Sequence, residues 1–80
     1  DLPRSKRHFE RAIRRHPNYL STRVLFAEHY AVRARDRALF ERELRAVIDA
    51  DERAIVDVVP ELTIEKRRAR LLLERAEDLF

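Results

Sequence analysis

The 80-residue sequence contains no cysteine and no glycine, and each absence excludes a class of structure. Without cysteine, neither a disulfide nor a thiolate metal site can stabilise a chain that is short enough to bury only a modest core. Without glycine, a glycine-rich phosphate loop is impossible, and the tight turns of a β-protein would be difficult to build. No apolar run approaches the length that a helix needs to cross a bilayer.

The residues that are present favour helices. Ala, Leu, Arg and Glu dominate and are good helix formers, and the three prolines stand where each can mark an element boundary. The length allows one domain at most, so we expect oligomerisation or contact with the rest of a longer chain to add stability. Because the sequence opens on Asp1 without a methionine or a leader, we expect a mature product or an excised fragment.

The net charge of +3 is unevenly distributed. Residues 1–17 hold six basic side chains against two acidic ones, whereas residues 18–80 hold twelve against thirteen. The basic excess is therefore confined to the first predicted helix. Such a cluster could bind the phosphates of nucleic acid, so a basic helical nucleic-acid-binding module is the alternative function. No nucleic-acid-binding motif accompanies it, and the aromatic residues fall mostly on predicted core faces.

The spacing of apolar residues predicts four helices joined by short connections. Their expected bounds are about residues 3–16, 19–35, 37–50 and 61–79, with an extended or partly helical linker over residues 51–60. Pro17 should end the first helix, because a residue that precedes proline is pushed out of the α region. Asn18 and Asp36 are the expected N-caps of the second and third helices.

The second helix carries apolar residues on two sides, which predicts that it lies between two neighbours. The third and fourth helices each carry one apolar face. The residues expected in the core are Leu20, Val24, Phe26, Ala27, Tyr30, Ala31 and Ala34 in the second helix, Phe40, Leu44, Val47 and Ile48 in the third, and Leu62, Ala69, Leu72, Leu73, Ala76 and Phe80 in the fourth. On the exposed side of the third helix, Glu41 and Arg45 are spaced for an i,i+4 ion pair.

A weak internal repeat relates the first and third helices. The stretch Phe9–Arg14 (FERAIR) recurs as Phe40–Arg45 (FERELR) at an offset of 31 residues, near the period of two-helix repeats. The pattern resembles a degenerate tetratricopeptide repeat, and the matching residues are Phe9, Ala12 and Pro17 at the end of one repeat and Phe26, Ala27 and Tyr30 in the next. Glu43 and Ile48 depart from it, standing where alanine and proline are expected. The resemblance implies an all-α fold of four antiparallel helices, as in a fragment of an α–α superhelix.

A more specific resemblance covers the last two-thirds of the chain. It rests on Tyr19, the stretch Leu25–Val32 (LFAEHYAV), Asp36, Phe40, Leu44, Val47, Asp51 and the closing stretch Arg67–Phe80 (RRARLLLERAEDLF). These residues are similar to the C-terminal half of the TRAP-transporter T-component (TatT) family. Its members are typically bacterial lipoproteins or exported proteins with a degenerate tetratricopeptide-like fold. A member assembles as a trimer and pairs with the solute-binding protein of a tripartite ATP-independent periplasmic transporter.

The resemblance implies a non-catalytic protein-interaction scaffold, an accessory component that binds a periplasmic solute-binding protein. It also implies a homo-oligomer and a periplasmic or exported location, although the residues themselves leave a cytoplasmic location open. We expect a protein partner, or a hydrophobic small ligand as an alternative, with no cofactor and no membrane span.

The sequence offers no constellation for catalysis or metal binding, so we predict that the chain is not an enzyme. Its carboxylates alternate with arginines on helix faces, which is typical of solvated, salt-bridged surfaces. His8, His16 and His29 lie on separate turns or helices, and none has a second histidine or a cysteine at ligand spacing. We therefore expect no metal site.

The side chains predicted to line a binding groove lie on the second helix. In a tetratricopeptide-like layout, the first helix of each repeat lines the concave surface, which would bring Val24, Glu28, Ala31 and Val32 to the groove. An apolar groove with one carboxylate would suit a peptide, a partner helix or a hydrophobic small molecule. The alternative is that these residues contact further helices, since solenoid helices bury against their neighbours.

Overall fold

The computed structural model describes residues 1–51 and 59–80, and every regular element in these two ranges is helical. In chain order the elements are α1 (Leu2–Arg15), α2 (Leu20–Leu25), a π-helical segment (Phe26–Ala31), α3 (Val32–Ala34), α4 (Arg37–Ile48), α5 (Val59–Glu74) and α6 (Ala76–Leu79). The predicted all-α class is confirmed, whereas the layout of four antiparallel helices stays a prediction. Residues 52–58 of the predicted linker lie outside the described ranges.

Helix α1 begins and ends one residue earlier than predicted, immediately before the Pro17 turn. The Oδ1 atom of Asp1 accepts a hydrogen bond from the backbone N–H of Arg4 (3.5 Å), which caps the N-terminus. No residue of α1 is fully buried, and Phe9 and Ile13 are partly buried against the core. The helix therefore covers one side of the core and leaves its other face to solvent.

The predicted second helix is one continuous helical segment over residues 20–34, but its centre is π-helical. It begins at Leu20, and the preceding Tyr19 makes no side-chain capping bond, so the predicted Asn18 cap is wrong. The backbone N–H of Tyr19 donates to the carbonyl oxygen of His16 (3.0 Å), which places Asn18 inside a four-residue turn. Asn18, which the sequence pattern assigns to the N-cap of the second helix, therefore lies in the turn that precedes that helix.

The π-helical segment contacts α1 on one side and α4 on another. Within this segment, the ring of Phe26 stacks on the ring of Phe9, with the two centroids 5.2 Å apart. The centroid of the Phe26 ring also lies 5.3 Å from that of the Tyr30 ring. Ala27 and Ala31 are fully buried. These contacts agree with the prediction that this helix lies between two neighbours.

The segment over residues 20–34 ends in a Schellman motif that lacks the usual glycine. Arg35 adopts the left-handed conformation, with φ 56° and ψ 36°. The backbone N–H of Asp36 donates to the carbonyl of Ala31 (2.9 Å), and that of Arg35 donates to Val32 (3.2 Å), the two bonds that define the motif. Because an arginine Cβ crowds the backbone in this conformation, the residue costs roughly 1 kcal/mol relative to glycine.

Helix α4 is capped by Asp36 as predicted, since its Oδ1 accepts a hydrogen bond from the backbone N–H of Leu39 (3.0 Å). The predicted Glu41–Arg45 pair is wrong, because Oε1 of Glu41 instead accepts from Nε of Arg37 (3.3 Å), one turn earlier. The helix ends at Ile48, two residues before the predicted end.

Helix α5 begins at Val59, two residues before the predicted start, and the predicted fourth helix is interrupted near its end. The interruption is at Arg75, whose φ of −93° and ψ of 5° lie outside the α region, and α6 follows it. Nζ of Lys66 donates to the carbonyl of Ala50 (2.8 Å), which ties α5 to the end of α4.

The core lies where the segment over residues 20–34 meets α4 and α5. Its apolar members are Leu20, Val24, Phe26, Ala27, Tyr30, Ala31, Leu39, Phe40, Leu44, Val47, Leu62, Ala69, Leu72 and Ala76. All of these except Leu39 lie on the apolar faces expected from the sequence, although Val24 and Ala31 were also predicted to line the groove. Three further expected residues, Ala34, Ile48 and Leu73, are partly buried, and Phe80 remains 36 % exposed while its ring contacts Phe40 edge-on at 5.1 Å.

Candidate functional site

The four side chains predicted to line one groove are not brought to one surface. Val24 and Ala31 are fully buried in the core, because neighbouring helices cover both apolar sides of the segment that carries them. Val32 is half-buried, and the side chain of Glu28 is 29 % exposed. A partner can therefore reach Glu28 and Val32 but not the other two, and their role in binding stays a prediction.

Glu28 joins the π-helical segment to α5. Its Oε1 accepts a hydrogen bond from Nη2 of Arg68, and Nε2 of His29 lies 3.6 Å from the same oxygen. All three side chains are partly or largely exposed, so the ion pair contributes only about 0.2–1 kcal/mol to stability. π-helical turns occur frequently at functional sites, which draws attention to Glu28 and His29 in the middle of this one.

Two exposed aliphatic side chains flank Arg68 on α5. Ile64 is 65 % exposed and Leu71 is 54 % exposed. Residues at i, i+4 and i+7 share one side of a helix, so Ile64, Arg68 and Leu71 form a stripe beside the buried stripe. We call Glu28, His29, Ile64, Arg68 and Leu71 together the Glu28 face. Its two aliphatic residues were not predicted as site residues, although their seven-residue spacing is visible in the sequence.

A cleft of about 520 Å³ lies where the segment over residues 20–34 ends, and we call it the arginine cleft. It is lined by Val32, Arg33, Arg35, Arg37, Leu79 and Phe80. Nη2 of Arg37 donates to Glu77 (3.0 Å) and its Nε donates to Glu41 (3.3 Å). The hydrogen bonds to Glu77 and then to Glu41 raise the pKa of Arg37 above its ordinary value.

The carboxylate of Glu43 is buried and is held by two arginines. Its Oε1 accepts from Nη1 of Arg23 (2.8 Å), and its Oε2 accepts from Nε of Arg42 (3.2 Å). Only 7 % of the Glu43 side chain is exposed. Because both oxygens accept from guanidinium groups, the arrangement is that of a structural ion-pair network that joins α2 to α4.

The outer face of α1 carries a basic stripe. Arg4, Arg7, His8 and Arg11 line a shallow groove of about 310 Å³, and all four are exposed. In the part of the chain that the structure describes, none of the three arginines forms a salt bridge. The three arginines of this stripe are among the six basic side chains that give residues 1–17 their net positive charge.

Two kinds of site are absent from residues 1–51 and 59–80, the part of the chain that the structure describes. These residues hold no group of three or more His, Cys, Asp or Glu side chains placed to bind a metal ion. Over the same part of the chain, no helix combines the length and the apolar character needed to cross a membrane.

A comparison with protein families shows where this chain belongs. The sequence model of the family described as TRAP transporter T-component matches residues 1–80, which is the whole chain. The chain belongs to the TRAP transporter T-component family. Comparisons with curated proteins and with solved structures gave no match.

As a member of this family, the chain is an accessory component of a TRAP transporter. The family is one of transporter accessory proteins and is not a known enzyme family. The resemblance drawn from the residues between Tyr19 and Asp51 and from the stretch Arg67–Phe80 is thereby confirmed, and it extends to the first helix as well.

Proposed function

We propose that this chain is a non-catalytic scaffold that binds the periplasmic solute-binding protein of a TRAP transport system. The observation that carries the proposal is the family match over residues 1–80. An accessory component without a catalytic constellation acts by presenting a surface to another component. The Glu28 face is the surface that we propose for this contact.

The composition of the Glu28 face supports this role. Ile64 and Leu71 supply exposed aliphatic surface, and the Glu28–Arg68 ion pair lies between the π-helical segment and α5. Protein interfaces bury apolar anchors within a polar, solvent-accessible rim, and the Glu28 face offers both kinds of group. Glu28 was also a predicted groove residue.

A tetratricopeptide-like arrangement belongs to the same proposal. Phe9 and Phe40 occupy equivalent positions of the sequence repeat, and each ring contacts another phenylalanine, Phe26 at 5.2 Å and Phe80 at 5.1 Å. The two partners are not related by the 31-residue offset, so the support for two copies of one helical unit is the repeated stretch itself, Phe9–Arg14 and Phe40–Arg45. Assembly into a homo-oligomer in the periplasm would add the buried surface that a chain of this size lacks.

The test is a calorimetric titration with the solute-binding protein encoded beside a TRAP permease in the same genome. We expect binding in the micromolar range, and Ile64→Asp and Leu71→Asp should each weaken it about tenfold, as hot-spot positions do. Both side chains are more than half exposed, so these variants should fold normally. The matched control is Tyr19→Ser, which removes a 51 % exposed aromatic outside the Glu28 face and should leave the affinity unchanged.

Absence of binding by the unmodified chain would overturn the proposed partner. Equal affinities for the two α5 variants and the control would instead overturn the proposed surface.

The basic stripe on α1 favours nucleic-acid binding as a second candidate function. The stripe contains Arg4, Arg7 and Arg11 on one exposed side of the helix, where they could neutralise phosphates. Binding to duplex DNA at two salt concentrations separates the two proposals. Tight binding that weakens steeply with salt would support this candidate against the scaffold, whereas weak binding at both concentrations would dismiss it.

A further inference from the structure

We propose that the outer face of α1 binds the surface of a bilayer that contains anionic phospholipids. This face consists of the basic stripe and its continuation toward the end of the helix. It shares no residue with the Glu28 face, so binding here goes beyond the proposed contact with a solute-binding protein. The composition of the face, its unpaired charge and its straight course support the proposal.

Every exposed residue of α1 between positions 4 and 15 is basic. These residues are Arg4, Arg7, His8, Arg11, Arg14 and Arg15. Since an α-helix has 3.6 residues per turn, the six side chains fall within an arc of about 120°, which we call the basic arc. Glu10, the one acidic residue of α1, is partly buried and lines the groove that α1 forms with α2 and α4. Of the basic arc, only Arg14 also lines that groove.

The five arginines of the basic arc carry unpaired charge. None of them forms a salt bridge with a residue in the part of the chain that the structure describes. Their exposure follows from the composition of the arc, because an apolar helix face packed on it would bury guanidinium groups without partners, which is strongly unfavourable. The arc is therefore suited to a polyanion and not to the packing of a further helix.

The basic arc runs straight along α1. Its first and last members are 11 positions apart, so it is about 17 Å long. On the opposite side of the helix, Phe9 and Ile13 pack against the core, so α1 lies along the molecule with the arc facing outward. A plane of anionic headgroups can thus contact the arginines of the arc together, and each basic side chain near such a plane adds to the attraction.

Nucleic acid is the other polyanion to which the basic arc is suited. The arc holds no aromatic ring for base stacking apart from the imidazole of His8, and no asparagine or glutamine that could bind a base edge. Nucleic acid would therefore be held mainly through its phosphates. The chain is an accessory component of a transporter, and a transporter operates in a bilayer, so anionic headgroups are the phosphates that we expect it to meet.

The experiment is sedimentation of the full chain with vesicles of two compositions at about 0.1 M salt. One set contains phosphatidylcholine alone, and the other contains one part of phosphatidylglycerol to two parts of phosphatidylcholine. We expect the chain to bind the anionic vesicles at least about tenfold more strongly than the neutral ones. The difference should disappear at about 1 M salt, where the Debye length falls to about 3 Å.

Two double variants with the same net charge separate the basic arc from the charge of the whole chain. Arg7→Gln/Arg11→Gln should lower the partition onto anionic vesicles about 25-fold, since each arginine near such a surface contributes about fivefold. The control Arg45→Gln/Arg70→Gln removes two exposed arginines from α4 and α5 and should lower it no more than about twofold, because screening weakens distant charges. Circular dichroism checks that both variants are folded.

Equal binding to neutral and anionic vesicles, or no binding to either, would overturn the proposal. Equal losses in the two double variants would do the same, because the net charge and not the basic arc would then carry the binding. A short DNA duplex is titrated at the same salt and phosphate concentration, and tighter binding to it than to the anionic vesicles would assign the arc to nucleic acid instead. The solute-binding protein is absent from these measurements, so their outcome is independent of the proposed function.

Discussion

Single residues show where local conformation and burial oppose the usual preferences of the side chain. Arg35 occupies a left-handed position that glycine normally fills, and Glu43 is a carboxylate inside a helix packing face. Each carries a measurable consequence for stability. The sequence marks Glu43 as a departure from the repeat, but the burial of Glu43 and the conformation of Arg35 depend on residues elsewhere in the fold.

Replacement of Arg35 by glycine should stabilise the chain by about 0.5–1 kcal/mol, because the left-handed strain is relieved and part of that gain is offset by glycine's greater freedom when unfolded. The midpoint of urea denaturation measures the change. The control is Arg33→Gly, two residues earlier within α3, where glycine should destabilise by a similar amount. Destabilisation by Arg35→Gly would contradict the assigned backbone conformation.

Replacement of Glu43 by alanine should destabilise the chain by about 1–3 kcal/mol, although alanine is the better helix former and the residue expected at this repeat position. The loss arises because Arg23, only 23 % exposed, is left without its carboxylate. Chemical denaturation of Glu43→Ala, Arg23→Ala and the double variant measures the coupling between the two residues.

The control for Glu43 is Glu41→Gln, which breaks an exposed i,i+4 pair and should change stability by less than about 0.5 kcal/mol. Additive effects of the Glu43→Ala and Arg23→Ala substitutions would show that the buried pair is not coupled.

At the scale of the elements, apolar periodicity predicted the helices well because each one packs a continuous face against a neighbour. The bounds of α1 and α4 and the start of α5 fall within two residues of the expected ones, whereas α5 ends five residues before the predicted end of the fourth helix. The N-cap of α4 was predicted because the bond from Asp36 to Leu39 is local. The Asn18 cap failed because the turn between His16 and Tyr19 uses that residue instead.

The π-helical segment and the interruption at Arg75 could not be predicted in the same way. The stretch Phe26–Ala31 has the composition of an ordinary helix, and its backbone pattern accompanies packing against α1 and α4 together. Local spacing could not choose between Arg37 and Arg45 as the partner of Glu41, because each lies four residues from it. The bond from Arg37 to Glu77 joins residues 40 positions apart. Contacts between distant parts of the chain decide these features.

The two N-caps of known geometry should differ in their contribution to stability. Asp36→Ala should cost about 1 kcal/mol, because it leaves the Leu39 amide at a partly buried position without its acceptor. Asp1→Ala, which removes a long 3.5 Å bond at an exposed end, should cost less than about 0.5 kcal/mol. Thermal unfolding followed by circular dichroism compares the two, and an equal loss of melting temperature would contradict the assignment.

At the scale of the whole molecule, the family was readable from the sequence whereas most of the surface was not. The closing stretch Arg67–Phe80 already resembled the T-component family, and the family match covers the whole chain. Of the predicted groove residues, Glu28 and Val32 remain accessible. The arginine cleft was missed because Arg33 and Arg35 meet Leu79 and Phe80 only after folding.

We propose that this accessory component docks its solute-binding protein through the Glu28 face. An NMR experiment that maps the amide and methyl signals of the labelled chain in complex with the unlabelled solute-binding protein tests it most directly. We predict that the signals of Glu28, His29, Ile64 and Leu71 change most on binding. Changes confined to the basic stripe of α1, or none at protein concentrations of about 100 μM, would contradict it, since a micromolar complex would be largely formed there.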